Sequence, residues 1–310
     1  MTIKTILLTG ANGDIATAIG RALGEGLPDV RLVGCDIDGE WPGRSVFAEI
    51  FSVPRADNPG YIDALRTVVE RVGGDVVLPC TEPELKRLTD SDTAGLSLLM
   101  NDTDVVRRCL DKFETTSWLQ ELGIDVPRTR MLGDAVADDL PVMVKPRTGA
   151  GSRGLEIVAT PARLVLAQAE RDDNVIAQQL LEPNEGEFTC AIFKAYGEVR
   201  VLIMRRWLAG GLTERMVVED TPAIDDALQT IAQALPAIAA INVQLRLVGG
   251  VPMVFEINPR LSSTVMMRHR VGFCDALWWL RALEGLSPPR FSAPVGTRVF
   301  RTYGETVVAP

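Results

Sequence analysis

The hydrophobic residues of the first third of the chain follow two periodicities in turn. Short apolar runs of strand length alternate with longer stretches in which apolar residues recur at helical spacing. Such alternation is typical of a parallel sheet with helices on its faces, so we expect a Rossmann-like α/β domain over residues 1–105. The predicted strands cover residues 5–9, 30–34 and 76–79, and the predicted helices cover residues 15–23 and 61–72.

The pattern changes after residue 105, where helices alternate with hairpins. This change predicts an α+β unit over residues 106–310. One predicted helix, residues 223–240, is rich in alanine and contains Pro236, which should kink it or end its regular part. The other predicted helices cover residues 113–122, 262 onward and 276–283, and the predicted strands cover 142–146, 155–158, 241–247, 255–260 and part of 297–308.

Candidate chemistry is concentrated in the strand at residues 255–260. Side chains alternate between the two faces of a strand, so Glu256, Asn258 and Arg260 should point to one face while Phe255 and Ile257 point into the core. This arrangement would place a carboxylate, an amide and a guanidinium in a row on a wet face. An ordinary hairpin with solvated polar residues accounts for the same alternation.

The preceding strand supplies a fourth polar side chain. Gly249 and Gly250 predict a hairpin, and a three-residue loop ending at Val251 would place Gln244 directly opposite Glu256. Carboxylate and amide oxygens suit Mg²⁺, a hard ion that takes few protein ligands and shares its other positions with water and phosphate. The hairpin therefore predicts a magnesium site.

A glycine-rich loop at residues 149–154 follows Lys145. Glycines allow backbone N–H groups to approach phosphate oxygens, and a nearby lysine neutralises phosphate charge. A Walker loop places its lysine directly after a glycine, and this chain contains no Gly-Lys pair. The order excludes a P-loop and indicates a different grip on a nucleotide, although a tight hairpin with a surface lysine would have the same sequence.

Together these motifs resemble the ATP-grasp superfamily, most closely one ATP-grasp half of the carbamoyl-phosphate synthase large subunit, over nearly the whole chain. The resemblance implies a Rossmann-like pre-ATP-grasp domain followed by a two-lobed ATP-grasp domain, with a nucleotide lid lobe at about 112–180 and a metal-binding lobe at about 181–310. It also implies an ADP-forming carboxylate–amine ligase, which activates a carboxylate as an acyl phosphate and transfers it to an amine.

The resemblance further implies ATP and one or two Mg²⁺ ions, or Mn²⁺, as cofactors. Arg260 would act on the transferred phosphoryl group, and Gln244, Glu256 and Asn258 would hold the metal. Gln179 and Gln244 depart from the acids common in the family, although carbamoyl-phosphate synthases have Gln at the latter position and both residues keep an oxygen ligand. The nucleotide contacts would be Lys112, Lys145, Gly149, Gly151, Ser152, Arg153, Gly154, Gln178, Gln179, Leu180, Leu181 and Glu187.

The composition of the chain disfavours several classes of binding partner. A formal net charge of −9 disfavours a nucleic-acid partner, and no uninterrupted apolar run approaches the length of a membrane span. Five scattered cysteines without a Cys-x-x-Cys pair disfavour zinc and disulfide frameworks. We expect a cytoplasmic protein that acts on small molecules. The sequence leaves the oligomeric state undecided, with a homodimer as one alternative. Expected substrate contacts, with no role assigned except for Arg260, are Asn12, Thr81, Glu82, Arg260, Ser262 and Arg268.

The N-terminal turn raises a competing function. Gly10 and Gly13 resemble part of a dinucleotide-binding fingerprint, and Asp36 follows where a ribose carboxylate would lie. This pattern favours an NAD(P)-binding reductase or epimerase, but the chain has no Tyr-x-x-x-Lys pair to supply the proton donor of the short-chain enzymes. Two further hypotheses are a carbamoyl-phosphate-synthase-like enzyme acting on bicarbonate and a module that binds ATP without ligation.

Overall fold

The N-terminal third forms a four-stranded parallel sheet in the computed structural model, which describes residues 3–39, 46–149 and 154–302. The strand order β3-β2-β1-β4 is that of one half of a doubly wound sheet, as the alternating periodicity predicts. The elements are β1 (Thr5–Thr9), α1 (Asp14–Gly26), β2 (Arg31–Asp36), β3 (Glu49–Ser52), α2 (Tyr61–Val72), β4 (Val76–Leu78) and α3 (Glu82–Thr89).

A second, antiparallel sheet with the order β5-β8-β6-β7 follows two helices. Val142, Val144 and Leu164 form part of its small core. We call this sheet and its helix α6 the lid lobe. The helices are α4 (Thr103–Leu110), α5 (Lys112–Glu121) and α6 (Pro161–Glu170), and the strands are β5 (Thr129–Met131), β6 (Val142–Pro146), β7 (Glu156–Val158) and β8 (Val175–Gln179).

The largest sheet has six antiparallel strands in the order β13-β12-β9-β10-β11-β14. One of its faces packs on α4, α5 and a further helix α7, and the other packs on α1, α8 and α9. The elements are β9 (Glu187–Ala195), β10 (Glu198–Ala209), β11 (Leu212–Val218), α7 (Pro222–Ala234), β12 (Ile238–Val248), β13 (Val251–Asn258), α8 (Val265–Arg270), α9 (Asp275–Leu283) and β14 (Arg298–Phe300).

The predicted helix over 223–240 is too long. Helix α7 ends at Ala234, Pro236 follows, and β12 begins at Ile238. Proline cannot donate the next helical hydrogen bond, and residues 238–246 instead pair with β9. Tertiary strand pairing therefore overrides the helix propensity of Ala239 and Ala240. Of the predicted tail strand, β14 is observed, and residues 303–310 lie outside the described part of the chain.

The β12–β13 hairpin confirms the predicted pairing but not the predicted loop. Val248 pairs with Val251, so the loop has two residues, Gly249 and Gly250, both with positive φ as a type I′ turn requires. A register shift after Gln244 then restores the pairing of Gln244 with Glu256.

The same bulge changes the direction of Phe255. Val254 and Ile257 are each 1% exposed and lie in the core, so the residues between them turn to the opposite face. The prediction that Phe255 points into the core is therefore wrong. Its ring centroid instead lies 5.9 Å from Lys145 Nζ and 5.8 Å from the guanidinium of Arg246.

No helix in the described ranges is long and apolar enough to cross a membrane.

Candidate functional site

One face of the large sheet changes from polar to apolar along β9. Glu187 and Thr189 lie on this face at one end, and Ala191, Phe193 and Ala195 continue it into the core beneath α9 with no exposed area. Lys145 of the lid lobe reaches the Phe255 ring at the polar end, so the two sheets meet there. We call this polar end of the large sheet the cleft face.

The predicted metal ligands lie together on the cleft face. Gln244 and Glu256 are directly opposed, and Asn258 Nδ2 donates a hydrogen bond of 3.3 Å to Glu256 Oε1. Arg206 Nη2 donates to Gln244 Oε1 at 2.7 Å, and an amide oxygen keeps a second lone pair for another partner. Two amides and one carboxylate fit a Mg²⁺ ion that takes its remaining ligands from phosphate and water.

In residues 3–39, 46–149 and 154–302, no group of three or more His, Cys, Asp or Glu side chains could hold a metal ion. The mixed set on the cleft face carries only one negative charge. Its chemistry therefore suits a metal that arrives with an anionic ligand better than one bound permanently by protein alone.

A row of three charged side chains crosses the sheet beside these residues. Arg206 Nε donates to Glu187 Oε1 at 2.9 Å, and Arg246 Nη2 donates to Glu187 Oε2 at 2.6 Å. Burial opposes ionisation of Glu187, but the charge of Arg206 and the hydrogen bonds from Arg246 outweigh it, so the pKa of this carboxyl lies below its ordinary value. The predicted ribose acceptor is thus ionised and held by two arginines.

Lys145 occupies a buried position between the lid lobe and the cleft face. It is 5% exposed, and its Nζ donates to Gln178 Oε1 at 2.8 Å, while Gln178 Nε2 donates to Thr129 Oγ1 at 3.0 Å. Burial lowers the pKa of Lys145 to about 8; Glu256 partly offsets this effect, and the positive charges of Lys112 and Arg246 add to it. An anionic ligand beside Nζ would raise this pKa again.

Lys112 ties helix α5 to the start of the glycine loop. Its Nζ donates to the Gly149 carbonyl at 2.7 Å, and Arg147 Nε donates to Asp111 Oδ2 at 2.6 Å. Gly149 has φ +108° and Gly154 has φ +70°, backbone conformations that favour glycine. The other predicted loop contacts, Gly151, Ser152 and Arg153, lie outside the described residues.

The predicted hinge continues β8 and is braced by its own hydrogen bonds. Gln179 Oε1 accepts from the backbone N–H of Arg128 at 3.2 Å, so the amide found here in place of an acid supports the strand entering the lid lobe. Leu180 N–H donates to the Pro141 carbonyl at 3.2 Å, and the Leu181 carbonyl accepts from Arg246. The hinge backbone is therefore connected to both lobes.

Arg260 lies where the N-terminal sheet meets the cleft. Its Nη2 donates to Glu82 Oε1 at 3.1 Å, and both side chains are 11% exposed. Within the described residues, nothing accepts a hydrogen bond from the buried Arg260 Nε. Asn101 fixes the turn before Arg260, because its Nδ2 donates to the Ala240 and Pro259 carbonyls at 2.7 and 2.8 Å.

Ser262 and Arg268, two of the expected substrate contacts, are buried beneath the turn that carries Arg260. Arg268 has no exposed area, pairs with Asp275 at 2.6 Å and donates to Ser262 Oγ at 2.8 Å and Thr264 Oγ1 at 3.0 Å. Ser262 Oγ in turn donates to Asn242 Oδ1 at 3.0 Å. These side chains connect the Arg260 turn to β12 and leave Arg268 no solvent-exposed surface for a substrate.

The N-terminal glycine turn is closed by its own residues. Gly10 has φ +58° and Gly13 N–H donates to the Gly10 carbonyl at 2.9 Å. Asp36 accepts from the backbone N–H groups of Asn12 at 2.9 Å and Ile37 at 2.6 Å. These hydrogen bonds join the glycine turn to the end of β2, and each carboxylate oxygen keeps a further lone pair.

Part of the chain matches a known protein family. Residues 171–301, which run from the hinge past Arg260, match the family described as "ATP-grasp in the biosynthetic pathway with Ter operon". A search of curated proteins finds no significant match to the sequence. This match confirms the predicted ATP-grasp resemblance over those residues, and the sheets described above confirm the predicted α/β and α+β fold class.

Solved structures with a similar fold include several ligases and synthetases. N5-carboxyaminoimidazole ribonucleotide synthetase from Thermus thermophilus has a TM-score of 0.74 at 17% identity, covering 94% of this chain and 81% of that one. The Staphylococcus aureus N5-carboxyaminoimidazole synthetase, complexed with ADP, has a TM-score of 0.74 at 15% identity, with coverages of 92% and 78%. L-amino acid ligase from Bacillus licheniformis has a TM-score of 0.69 at 18% identity, with coverages of 91% and 74%.

Proposed function

We propose that this ATP-grasp protein is an ADP-forming carboxylate–amine ligase. The observation that carries the proposal is the convergence of Glu256, Gln244 and Asn258 on the cleft face, opposite Lys145 of the lid lobe. Similar folds belong to a ribonucleotide synthetase and to an L-amino acid ligase, and a similar synthetase is complexed with ADP. The substrates of this chain are an acid and an amine, which a panel of candidate compounds would identify.

ATP would bind between the lid lobe and the cleft face. Lys112 and Lys145 would compensate the triphosphate charge, and the glycine loop at 149–154 would cover it. The hinge and Glu187 would contact the base and ribose. The Phe255 ring, turned into the cleft by the β13 bulge, offers a flat apolar surface beside the base.

Magnesium fits the mixed donor set of Gln244, Glu256 and Asn258. When bound with the nucleotide, it would neutralise charge on the β and γ phosphates. Arg206 would hold the Gln244 amide in place, since it bridges Gln244 Oε1 and Glu187. The protein's contribution here is orientation of oxygen ligands around an ion that arrives with phosphate.

The reaction would proceed through an acyl phosphate. The substrate carboxylate attacks the γ-phosphorus, the bond to ADP breaks, and Arg260 compensates charge on the transferred phosphoryl group. The planar guanidinium can contact a carboxylate and a phosphate at once. The amine then attacks the acyl carbon and phosphate leaves. Closure of the glycine loop would keep water from the acyl phosphate.

The test is ADP and phosphate release from Mg²⁺-ATP. The purified protein would be assayed against a panel of amino acids and other small carboxylates, including bicarbonate, with and without added amines. ADP that forms only with both an acid and an amine supports a ligase and names its substrates. ADP formed with bicarbonate alone would favour the carbamoyl-phosphate-synthase-like alternative. No nucleotide turnover together with measurable NAD(P) binding would overturn the proposal in favour of a reductase or epimerase.

A further inference from the structure

Carboxylates of the N-terminal unit pair with arginines of the segment that follows β13 at two places in the described part of the chain. Glu25 of α1 pairs with Arg270 of α8 at 2.7 Å, and these side chains are 43% and 57% exposed. Glu82, the first residue of α3, pairs with Arg260 at 3.1 Å, and these side chains are each 11% exposed. Only the second pair lies at the cleft, so the two pairs differ in surroundings although both join the same two parts of the chain.

Glu82 is held in place by the helix start. The Thr81 N–H and hydroxyl donate to Glu84 Oε2 at 3.1 and 2.7 Å, and Thr9 Oγ1 donates to the same oxygen at 2.6 Å. This capping box fixes the first turn of α3, and a helix N-terminus favours a negatively charged side chain. The backbone of Glu82 is therefore fixed at the start of α3, and its carboxylate accepts from Arg260 Nη2.

The charge of Glu82 is opposite to that of its surroundings. The side chains that would face phosphate, Lys112, Lys145 and Arg260, are cationic, as the anionic nucleotide and acid substrate require. A carboxylate next to Arg260 repels both of those ligands. The one reactant of the proposed reaction that it attracts is an amine, which is an ammonium ion in water at neutral pH.

We propose that Glu82 binds the ammonium group of the acceptor amine beside Arg260 and takes one of its protons; this inference rests on the proposed ligase function. The neutral amine then attacks the acyl carbon, a C–N bond forms, and the C–O bond to phosphate breaks. The nitrogen loses two protons in all: one goes to Glu82 and then to solvent, and the other leaves with the phosphate. Glu82 is thus a catalytic residue of the second half-reaction only.

A simpler role for Glu82 would be to orient Arg260. In that case its removal would slow formation of the acyl phosphate as well as its use. The two roles are separated by hydroxylamine, an uncharged nucleophile at neutral pH that traps an acyl phosphate as a hydroxamate without needing a carboxylate to bind or deprotonate it.

The experiment compares amide formation with hydroxamate formation in the full chain. The acid would be the one that supports ADP release, and the acceptors would be ammonium chloride, methylamine and the amines of the panel. Glu82→Gln is expected to lower the ratio of amide to hydroxamate about a hundredfold and to raise the KM for the amine. Glu25→Gln, which removes the ion pair outside the cleft, is the matched control and should leave that ratio as in the unaltered protein.

The experiment separates a failure of the Glu82 inference from a failure of the proposed ligase function. An unchanged ratio of amide to hydroxamate in Glu82→Gln would overturn the inference, whether the two products keep their amounts or fall equally. An equal fall would assign Glu82 to the orientation of Arg260. In both cases the unaltered protein would still make hydroxamate, and the ligase function would stand. If the unaltered protein makes neither ADP nor hydroxamate with any acid, the proposed function fails and the inference fails with it.

Discussion

The two ends of one face of the large sheet, followed along β9, differ in the side chains that they carry. At the cleft end of β9, Glu187 is held between two arginines, whereas at the other end Phe193 is fully buried against Trp278 of α9, with ring centroids 5.8 Å apart. The strands, their register and their alternation are continuous between these ends. The backbone of the sheet is therefore a common support, on which the side chains of the cleft end provide charge and those of the core end provide stability.

The largest expected effect is on activity at the cleft end. Glu256→Ala removes the one carboxylate among the three predicted metal ligands, so turnover should fall at least about a thousandfold. The free energy of unfolding should change by less than about 1 kcal/mol, because Glu256 is not a core residue. Steady-state ADP release and urea denaturation measure the two quantities.

A matched change is available on the same sheet. Glu198→Ala removes an exposed carboxylate at the far end of β10, and it should alter neither turnover nor stability appreciably. Comparable turnover in the Glu256 and Glu198 variants under saturating Mg²⁺ would remove Glu256 from the metal site.

A substitution at the core end of the same sheet face should lower stability and leave nucleotide binding nearly unchanged. Phe193→Ala leaves a cavity beneath Trp278 and should cost about 3–5 kcal/mol of unfolding free energy, with little effect on the KM for ATP in the fraction that stays folded. Phe300→Ala removes a ring that is 57% exposed and should cost far less. Similar losses in these two variants would refute the assigned core.

A smaller effect concerns the pH dependence of nucleotide binding. Because burial lowers the pKa of Lys145 to about 8, the free protein loses this charge as the pH rises through that value. ATP affinity should then fall by at most about tenfold per pH unit in alkaline solution. Lys145→Arg keeps its charge and should give a nearly flat profile by calorimetry. An equal fall in both proteins would assign the effect to another group.

The smallest expected effect is on stability in the N-terminal unit. Burial raises the pKa of Glu84, although hydrogen bonds from Thr9 and Thr81 oppose the shift. The stability linked to its protonated form is present at low pH and is lost as the pH rises through the folded-state pKa. In Glu84→Gln, the free energy of unfolding should therefore decline less than in the unaltered protein as the pH rises above the ordinary carboxyl range, as urea denaturation would detect. Parallel curves would contradict this account.

Local sequence predicts much of the fold and part of the site. The strand β1 and helix α2 have the predicted bounds, since each has a strong periodicity and clear end signals. The predicted strand at 142–146 is observed as β6, which carries Lys145. The predicted pairing of Gln244 with Glu256 is correct, although the predicted three-residue loop is wrong. The observed loop is one residue shorter, and the bulge in β13 adds that residue back to the register.

The remainder of the site depends on contacts between distant segments. The Arg206–Glu187–Arg246 row arises from pairing of β9 with both β10 and β12, which no local pattern specifies. Asn101 reaches Pro259 across 158 residues of sequence, and Glu82 reaches Arg260 across 178. Such partners follow from topology, and only the bulge at Phe255 explains why that ring faces the cleft.

Transfer of an oxygen atom from the acid to phosphate tests most directly whether an acyl phosphate forms. The carboxylate substrate found by ADP release would be labelled with ¹⁸O and converted with ATP and the amine, and the phosphate product would be analysed by mass spectrometry. If the cleft end of the large sheet activates the acid as an acyl phosphate, one labelled oxygen must appear in the phosphate released with each amide. Amide formation with unlabelled phosphate would contradict the account.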